Sequence, residues 1–225
     1  WCDVANMLRV QNERMDISYF PTTREYTQQF GLNKKILDSL DKEPSEYIHG
    51  EYLTLFIEEL LQNGNKSLKD LDAISVSIGP GSYTGLRIGL AVAKGLCFGL
   101  KIPLITVETL DSLLALGRKV HPDQNSCAVL DARRMEVYSK IISSEETVVS
   151  DTEATIIDES TFTDFEPFVC FGDGAAKLSE IWSGRDITIN NDIKLSAAGQ
   201  LNVSIAKFRS NNFEDLAYIK PMYIK

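Results

Sequence analysis

The feature that most constrains this sequence is a glycine-rich turn between a strand pattern and a helix pattern. The β-branched run Ala73–Ile78 predicts a buried strand, residues 79–85 read Gly-Pro-Gly-Ser-Tyr-Thr-Gly, and Tyr83–Leu100 has helical periodicity. α/β proteins use this order of elements to present backbone N–H groups to an anion. The candidate cofactor-binding residues are therefore Gly79, Gly81, Ser82 and Thr84. The turn lacks the Lys-Ser/Thr ending of a Walker loop and the glycine spacing of dinucleotide loops, so a tight connection without a ligand is the alternative.

The predicted helix Tyr83–Leu100 has two unlike sides. One side is apolar and carries Leu86, Leu90, Ala93, Cys97 and Leu100. Roughly opposite, small residues recur every four positions, at Ala91, Gly95 and Gly99. Each glycine in a helix interior costs about 1 kcal/mol relative to alanine, so we expect close packing on both sides. The small side then faces either another element of its own domain or a helix of another chain, and both interpretations stay open.

Alternating strand and helix patterns predict an α/β protein with two lobes. We place one lobe at residues 1–102, a second at 103–195, and a C-terminal helix and tail at 196–225 that return to the first lobe. The predicted helices are Ile48–Gln62, Leu110–Leu116 ended by Gly117, Asp158–Phe162, Ala176–Trp182 and Ser196–Arg209. The predicted strands are Leu104–Val107, Ser126–Leu130, Glu136–Ile142, Thr147–Val149 as a hairpin partner, and Phe168–Phe171.

Composition limits the partners and the compartment. The 225 residues carry a formal net charge of −9 and no continuous basic strip, which disfavours direct binding of nucleic acid. The four cysteines are widely separated without a Cys-x-x-Cys pair, as expected of free thiols in the cytoplasm. Charged residues and Pro103 interrupt the longest apolar stretch, Leu86–Val107, so we expect no membrane span. The sequence opens Trp-Cys-Asp-Val rather than with a basic segment before an apolar one, so we expect no secretory leader.

The sequence offers no convincing catalytic or metal-binding set. His49 and His121 are the only histidines and are far apart in sequence, so a His-x-x-x-His or His-Glu-x-x-His metal-binding motif is absent. The turn around Ser82 is not a Gly-x-Ser-x-Gly elbow. Arg133 and Arg134 lie between Asp131 and Glu136, which suggests ion pairing rather than acid–base catalysis. We expect Asp173, between two glycines, to stabilise a turn. We therefore predict no catalytic residues and no metal.

Several segments together resemble the TsaB (YeaZ) family. The residues that carry the resemblance are Gly79–Gly89, Ala93–Leu96, Pro103–Ile105 with Thr109-Leu110, Asp131–Tyr138, Gly172–Ala175 and Pro221–Tyr223. The likeness runs from about His49 to the C-terminus. It implies a two-lobed actin/Hsp70-like (ASKHA) fold and a role in making N6-threonylcarbamoyladenosine at position 37 of tRNAs that read ANN codons.

The resemblance also implies a division of labour. Members of the family are non-catalytic partners of the catalytic TsaD subunit, although they carry transferase or glycoprotease labels by similarity. A TsaE-like ATPase joins the pair, the protein forms a homodimer when alone, and tRNA is reached only through the complex. No intrinsic cofactor is expected, with ATP or ADP allowed at the subunit interface. The implied partner-binding residues, on two helices, are His49, Tyr52, Leu55, Phe56, Glu59, Arg87, Ala91, Gly95 and Gly99.

Residues 1–47 depart from this family. The expected first strand, an apolar run ending in Asp-Thr or Glu-Thr, is missing, and the nearest candidates are residues 3–6 and 14–18. The alternative function is a nucleotide-dependent enzyme of the sugar-kinase/ATPase type that uses the Gly79–Gly85 loop. Such an enzyme needs a carboxylate base and a phosphate-binding first strand, and neither is evident.

Overall fold

The computed structural model describes residues 4–7 and 48–224, with side chains from residue 53 onward. The helices are α1 (Ile48–Asn63), α2 (Tyr83–Leu100), α3 (Thr109–Val120) and α4 (Leu201–Arg209). The strands are β1 (Val4–Met7), β2 (Ala73–Gly79), β3 (Leu104–Glu108), β4 (Ser126–Asp131), β5 (Glu136–Ile142), β6 (Val148–Ile156), β7 (Phe168–Phe171) and β8 (Ile187–Asn190). Helices and strands alternate, which confirms the α/β class.

The strands form two sheets. The first has three parallel strands in the order β1-β2-β3. The second has five strands in the order β6-β5-β4-β7-β8, with β4, β7 and β8 parallel and β5 and β6 antiparallel. Helix α3 contacts β3 of the first sheet and β4 of the second, so it lies between them. None of the described helices is long and apolar enough to cross a membrane.

The apolar side chains of β2, α2 and β3 form the core of the first sheet, where Ile74, Val76, Leu90, Ala93, Cys97 and Leu104 are buried together. α4 follows the second sheet in sequence but packs against β3 and β1. It also completes a buried polar cluster: the hydroxyl of Ser75 lies 2.6 Å from that of Ser204 and 3.2 Å from Oε1 of Gln200. The boundary that we placed at residue 103 falls between two strands of one sheet.

Most predicted elements of the first sheet are confirmed, with α2 matching in full. β1 is a correction, because Val4–Met7 pairs in parallel with β2 although no convincing strand was evident there. The other candidate, residues 14–18, lies outside the described residues.

Gly117 does not end α3, which continues to Val120. A Cβ at position 117 would lie 2.0 Å from Cζ of Phe171, so this glycine makes room for the Phe171 ring within the helix. The sequence pattern predicted that Gly117 ends the helix. In the structure, packing against the Phe171 ring requires a residue without a side chain at this position.

Two further predictions, both in the region of the second sheet, are wrong. Asp158–Phe162 is a turn, because the Asp158 carboxylate accepts hydrogen bonds from Ser160 and Thr161 and competes with helix formation. Only Ala176–Leu178 is helical in the predicted helix Ala176–Trp182, as a single 3₁₀ turn. The hairpin predicted between Glu136–Ile142 and Thr147–Val149 is confirmed, but its second strand is longer and runs from Val148 to Ile156. β8 has no counterpart among the predicted strands.

Candidate partner-binding helix face and glycine loop

Helix α2 is fixed on the first sheet by its apolar side. Leu86, Leu90, Ala93 and Cys97 are buried against β2 and β3. Burial raises the pKa of the Cys97 thiol to about 11, so this cysteine is protonated at neutral pH and is a packing residue. Because this side packs against the sheet, the opposite side of α2 faces away from the sheet.

The opposite side of α2 is uncovered by the described part of the chain. Arg87, Ala91, Gly95 and Gly99 are all exposed. A Cβ placed at Gly95 or at Gly99 would meet no atom within 4 Å. The packing of the described chain therefore gives no reason for glycine at these two positions. Of the two interpretations of the small side, packing within its own domain finds no support here.

Phe98 belongs to the same exposed side and was missed by sequence reasoning. Its side chain is 80% exposed. It follows Gly95 by three residues, so the two lie on one face of the helix. The signal that could have found it is a large apolar residue placed off the buried apolar side of α2.

Helix α1 contributes the other predicted partner-binding residues and contacts α2. Ile57 is buried, whereas Leu55 is 53% exposed. Phe56 and Glu59 are half-buried. His49 and Tyr52 lie in α1, but their side chains are outside the described residues.

The four candidate cofactor-binding residues run from the end of β2 into the first turn of α2. Gly79 has φ +121°, and a Cβ there would lie 2.7 Å from the carbonyl oxygen of Met222. Ser82 caps α2, since its Oγ accepts a hydrogen bond from the Gly85 N–H at 3.3 Å. Gly81 is half-buried and Thr84 is exposed. The close approach of Met222 accounts for the glycine at 79 without a ligand.

The C-terminal segment 214–224, here called the tail, passes over this turn. The Met222 N–H donates to the Ile78 carbonyl at 2.7 Å. Lys94 Nζ donates to the Ile219 carbonyl at 3.3 Å. The ring of Tyr223 then lies 5.0 Å from that of Tyr83, the first residue of α2. The tail therefore joins the end of β2 to the start of α2.

A second polar site lies after β4, where Arg133 and Arg134 both adopt left-handed backbone conformations with φ of 73° and 51°. Both side chains are exposed. Ion pairing by these two arginines stays a prediction. Lys177 Nζ pairs with Asp131 at 2.5 Å and donates to the Arg134 carbonyl at 2.8 Å.

Asp173 has a structural contact of a different kind from the one expected. Its Oδ1 accepts a hydrogen bond from the Asp131 N–H at 2.9 Å, so it ties its loop to the end of β4. Within the described ranges, no three His, Cys, Asp or Glu side chains gather in a way that could hold a metal ion.

A buried lysine links the two sheets. Lys140 of β5 lies 2.8 Å from Asp111, 3.1 Å from Asp151 and 3.5 Å from Glu108. Burial lowers the pKa of Lys140, but the hydrogen bond and charge of Asp111, with those of Asp151 and Glu108, outweigh burial and raise it above its ordinary value. The pKa of Asp151 is lowered by a hydrogen bond from the Thr152 N–H and by Lys140. This cluster holds the end of β3 against β5 and β6.

Comparison with known proteins gives three findings. The family model described as TsaD, tRNA N6-adenosine threonylcarbamoyltransferase, matches residues 44–218. The tRNA threonylcarbamoyladenosine biosynthesis protein TsaB of Haemophilus influenzae is 35% identical over 96 residues, which are 43% of this chain and 41% of that protein. The structure of YeaZ from Pseudomonas aeruginosa superposes with a TM-score of 0.68 at 22% identity, covering 78% of this chain and 85% of that one.

A stretch of 43 residues resembles a protein of a different name. It is 88% identical to the aspartate carbamoyltransferase catalytic subunit of Christiangramia forsetii and covers 19% of this chain but 14% of that protein. The family model leaves residues 1–43 unmatched, a segment of the same length and part of the divergent segment 1–47. The matched segments are 41% of the TsaB protein and 14% of the aspartate carbamoyltransferase subunit, so the chain spans less than half of the length of either curated relative.

Proposed function

The chain belongs to the TsaB (YeaZ) family, with its two-lobed actin/Hsp70-like α/β fold, and we propose that it serves tRNA threonylcarbamoyladenosine biosynthesis as the non-catalytic partner of a TsaD-like subunit. The proposed pairing surface is the exposed side of α2 together with the adjacent exposed side of α1. The same surface would form a homodimer when the chain is alone. A TsaE-like ATPase would join the pair in the cytoplasm, with tRNA bound only by the assembly.

One observation carries this proposal. Gly95 and Gly99 cost helix stability, yet no atom of the described chain occupies the space above them. A second helix can approach closely where it packs against glycine. A partner helix would therefore explain the glycines at these two positions, which contacts within the described chain do not explain. Phe98, which is 80% exposed, adds an aromatic group of the kind that dominates interface energies.

The charged residues near the other family motifs support the non-catalytic assignment. Lys177, Asp131 and Asp173 bond one another or the backbone at the end of β4. Ser82 caps a helix and Gly79 lies against Met222. Each of these residues therefore has a structural role, and the nucleotide-dependent enzyme gains no support from the loop geometry. ATP or ADP remains allowed at the subunit interface.

The experiment is a binding titration with the TsaD-like protein of the same organism. We expect Gly95→Leu to fold, because open space surrounds this position, and to weaken pairing at least 100-fold, because leucine would hold the helices apart. Ala206→Leu, at an exposed small residue of α4, is the matched control and should pair normally. Circular dichroism reports folding and calorimetry reports pairing. A folded Gly95→Leu variant that pairs with wild-type affinity would refute the proposal.

A further inference from the structure

The tail is anchored to the first sheet at several points along its length. The Glu214 N–H donates to the Leu104 carbonyl at 2.9 Å, and the Thr106 hydroxyl donates to the Glu214 carboxylate. Leu216 and Ile219 pack against the core of the first sheet. These contacts hold residues 214–219 beside β3 and deliver the last residues to the glycine turn.

The end of the tail takes the place that a ligand has in other strand–turn–helix sites. The Met222 N–H donates to the Ile78 carbonyl, and the Met222 carbonyl oxygen lies 2.7 Å from the position that a Cβ at residue 79 would take. The lack of a side chain at Gly79 therefore leaves room for the backbone of the tail at Met222. The glycine turn and residues 221–223 contact each other in the structure. Both belong to the segments that carry the resemblance to the family.

Beyond this contact, three side chains stack in a row on the surface. The Tyr223 ring lies 5.0 Å from the Tyr83 ring. The Arg87 guanidinium lies 5.1 Å from the Tyr83 ring, and its Nη1 donates to the Tyr83 hydroxyl at 3.1 Å. Tyr83 is 58% exposed and Tyr223 is 44% exposed, so the row is open to a partner. Arg87 also lies on the exposed side of α2.

The row orders an arginine that would otherwise sample many rotamers. An arginine side chain loses considerable conformational entropy when it is fixed at an interface, and prior ordering reduces that loss. Tyr and Arg are also the residue types that contribute most to binding at protein interfaces. Tyr223 is thus placed to act on the partner through Tyr83 and Arg87.

We propose that the tail is an intrinsic ligand of the glycine turn and that Tyr223 is a positioning residue for partner binding. This inference rests on the proposed function, because the partner is the TsaD-like subunit that binds α2. Tyr223 holds Tyr83, Tyr83 holds Arg87, and Arg87 meets the partner at the N-terminal end of the α2 face.

The test compares three tail variants in the same titration with the TsaD-like protein. Tyr223→Ala should weaken pairing about ten-fold without lowering the melting temperature, whereas Tyr223→Phe keeps the ring and should pair within two-fold of the wild type. Tyr218→Ala is the control, because Tyr218 is 83% exposed on the same tail and has no ring contact among the described residues. Unchanged pairing in Tyr223→Ala overturns the inference, as does a phenylalanine variant as weak as the alanine variant.

Failure of the inference and failure of the proposed function give different results. If Gly95→Leu abolishes pairing and Tyr223→Ala does not, only the inference is wrong. If neither change matters, the pairing surface itself is wrong. A measurement without the partner decides the positioning role: the ¹⁵N heteronuclear relaxation of Arg87 Nε should show a more mobile side chain in Tyr223→Ala. Equal mobility in both proteins overturns the proposed row.

Discussion

Replacing the two exposed glycines of α2 by alanine should stabilise the isolated chain. Alanine is favoured over glycine in a helix interior by about 0.8–1.0 kcal/mol. A Cβ at Gly95 or at Gly99 meets nothing within 4 Å, so no steric cost offsets this gain. We expect about 1 kcal/mol from each change and about 2 kcal/mol from both. For a chain of this size each kcal/mol raises the melting temperature by about 2–4 °C.

The same double variant should pair less well with the TsaD-like partner. Two methyl groups would stand in the space that we assign to the partner helix, and we expect at least ten-fold weaker binding. Stability and pairing would therefore change in opposite directions. Denaturant unfolding measures the first quantity and titration calorimetry measures the second.

Gly117→Ala is the control for this reasoning, because Gly117 also lies within a helix. There the new Cβ would lie 2.0 Å from Cζ of Phe171, and overpacking of this kind costs about 1–3 kcal/mol or more. Loss of stability in the double variant at 95 and 99 would refute the argument, since it would mean that the folded chain covers this side of α2.

Three further predictions concern other parts of the molecule. Arg133→Asn/Arg134→Gly should stabilise the fold by about 1 kcal/mol in denaturant unfolding, because Asn-Gly suits two successive left-handed residues; a less stable variant would contradict this. Lys140→Met should cost about 2 kcal/mol at neutral pH, since it leaves partly solvated carboxylates without their cation. The pKa of Asp151 is lowered in the fold, so its contribution is present above its unfolded pKa and lost as the pH falls through the folded value. The difference between Lys140→Met and the wild type should therefore narrow below about pH 4, and a constant difference in pH-dependent melting would contradict the assignment. The isolated chain should bind tRNA no more tightly than about 10⁻⁴ to 10⁻⁶ M at physiological salt, and sub-micromolar binding in an equilibrium titration would contradict the charge argument.

Local signals were enough to predict the elements that place the site. The strand Ala73–Ile78 and the helix Tyr83–Leu100 follow from β-branched residues, from periodicity and from the glycines between them. The unusual small side of α2 was visible in the same way. The exposure of this side could not be predicted, because a stripe of glycines is compatible with a buried contact as well as with an exposed surface.

Features that depend on distant residues could not be predicted. Gly79 is explained by Met222, and Gly117 is explained by Phe171. Asp131 pairs with Lys177, which the sequence did not single out. In each case the partner lies far along the chain, and no local pattern at the first residue points to it.

The return of the C-terminal segment to the first sheet has a consequence for biosynthesis. Ser75 in the middle of β2 is fully buried, and its hydrogen-bond partners Gln200 and Ser204 lie 125 and 129 residues later. At roughly 5–20 residues per second, the ribosome needs on the order of 6–25 s to reach them. The second sheet, residues 126–190, is contiguous in sequence and complete before then. We therefore expect the second sheet to be able to fold before the first sheet is complete, while the Ser75 hydroxyl of β2 bonds to water until Gln200 and Ser204 arrive.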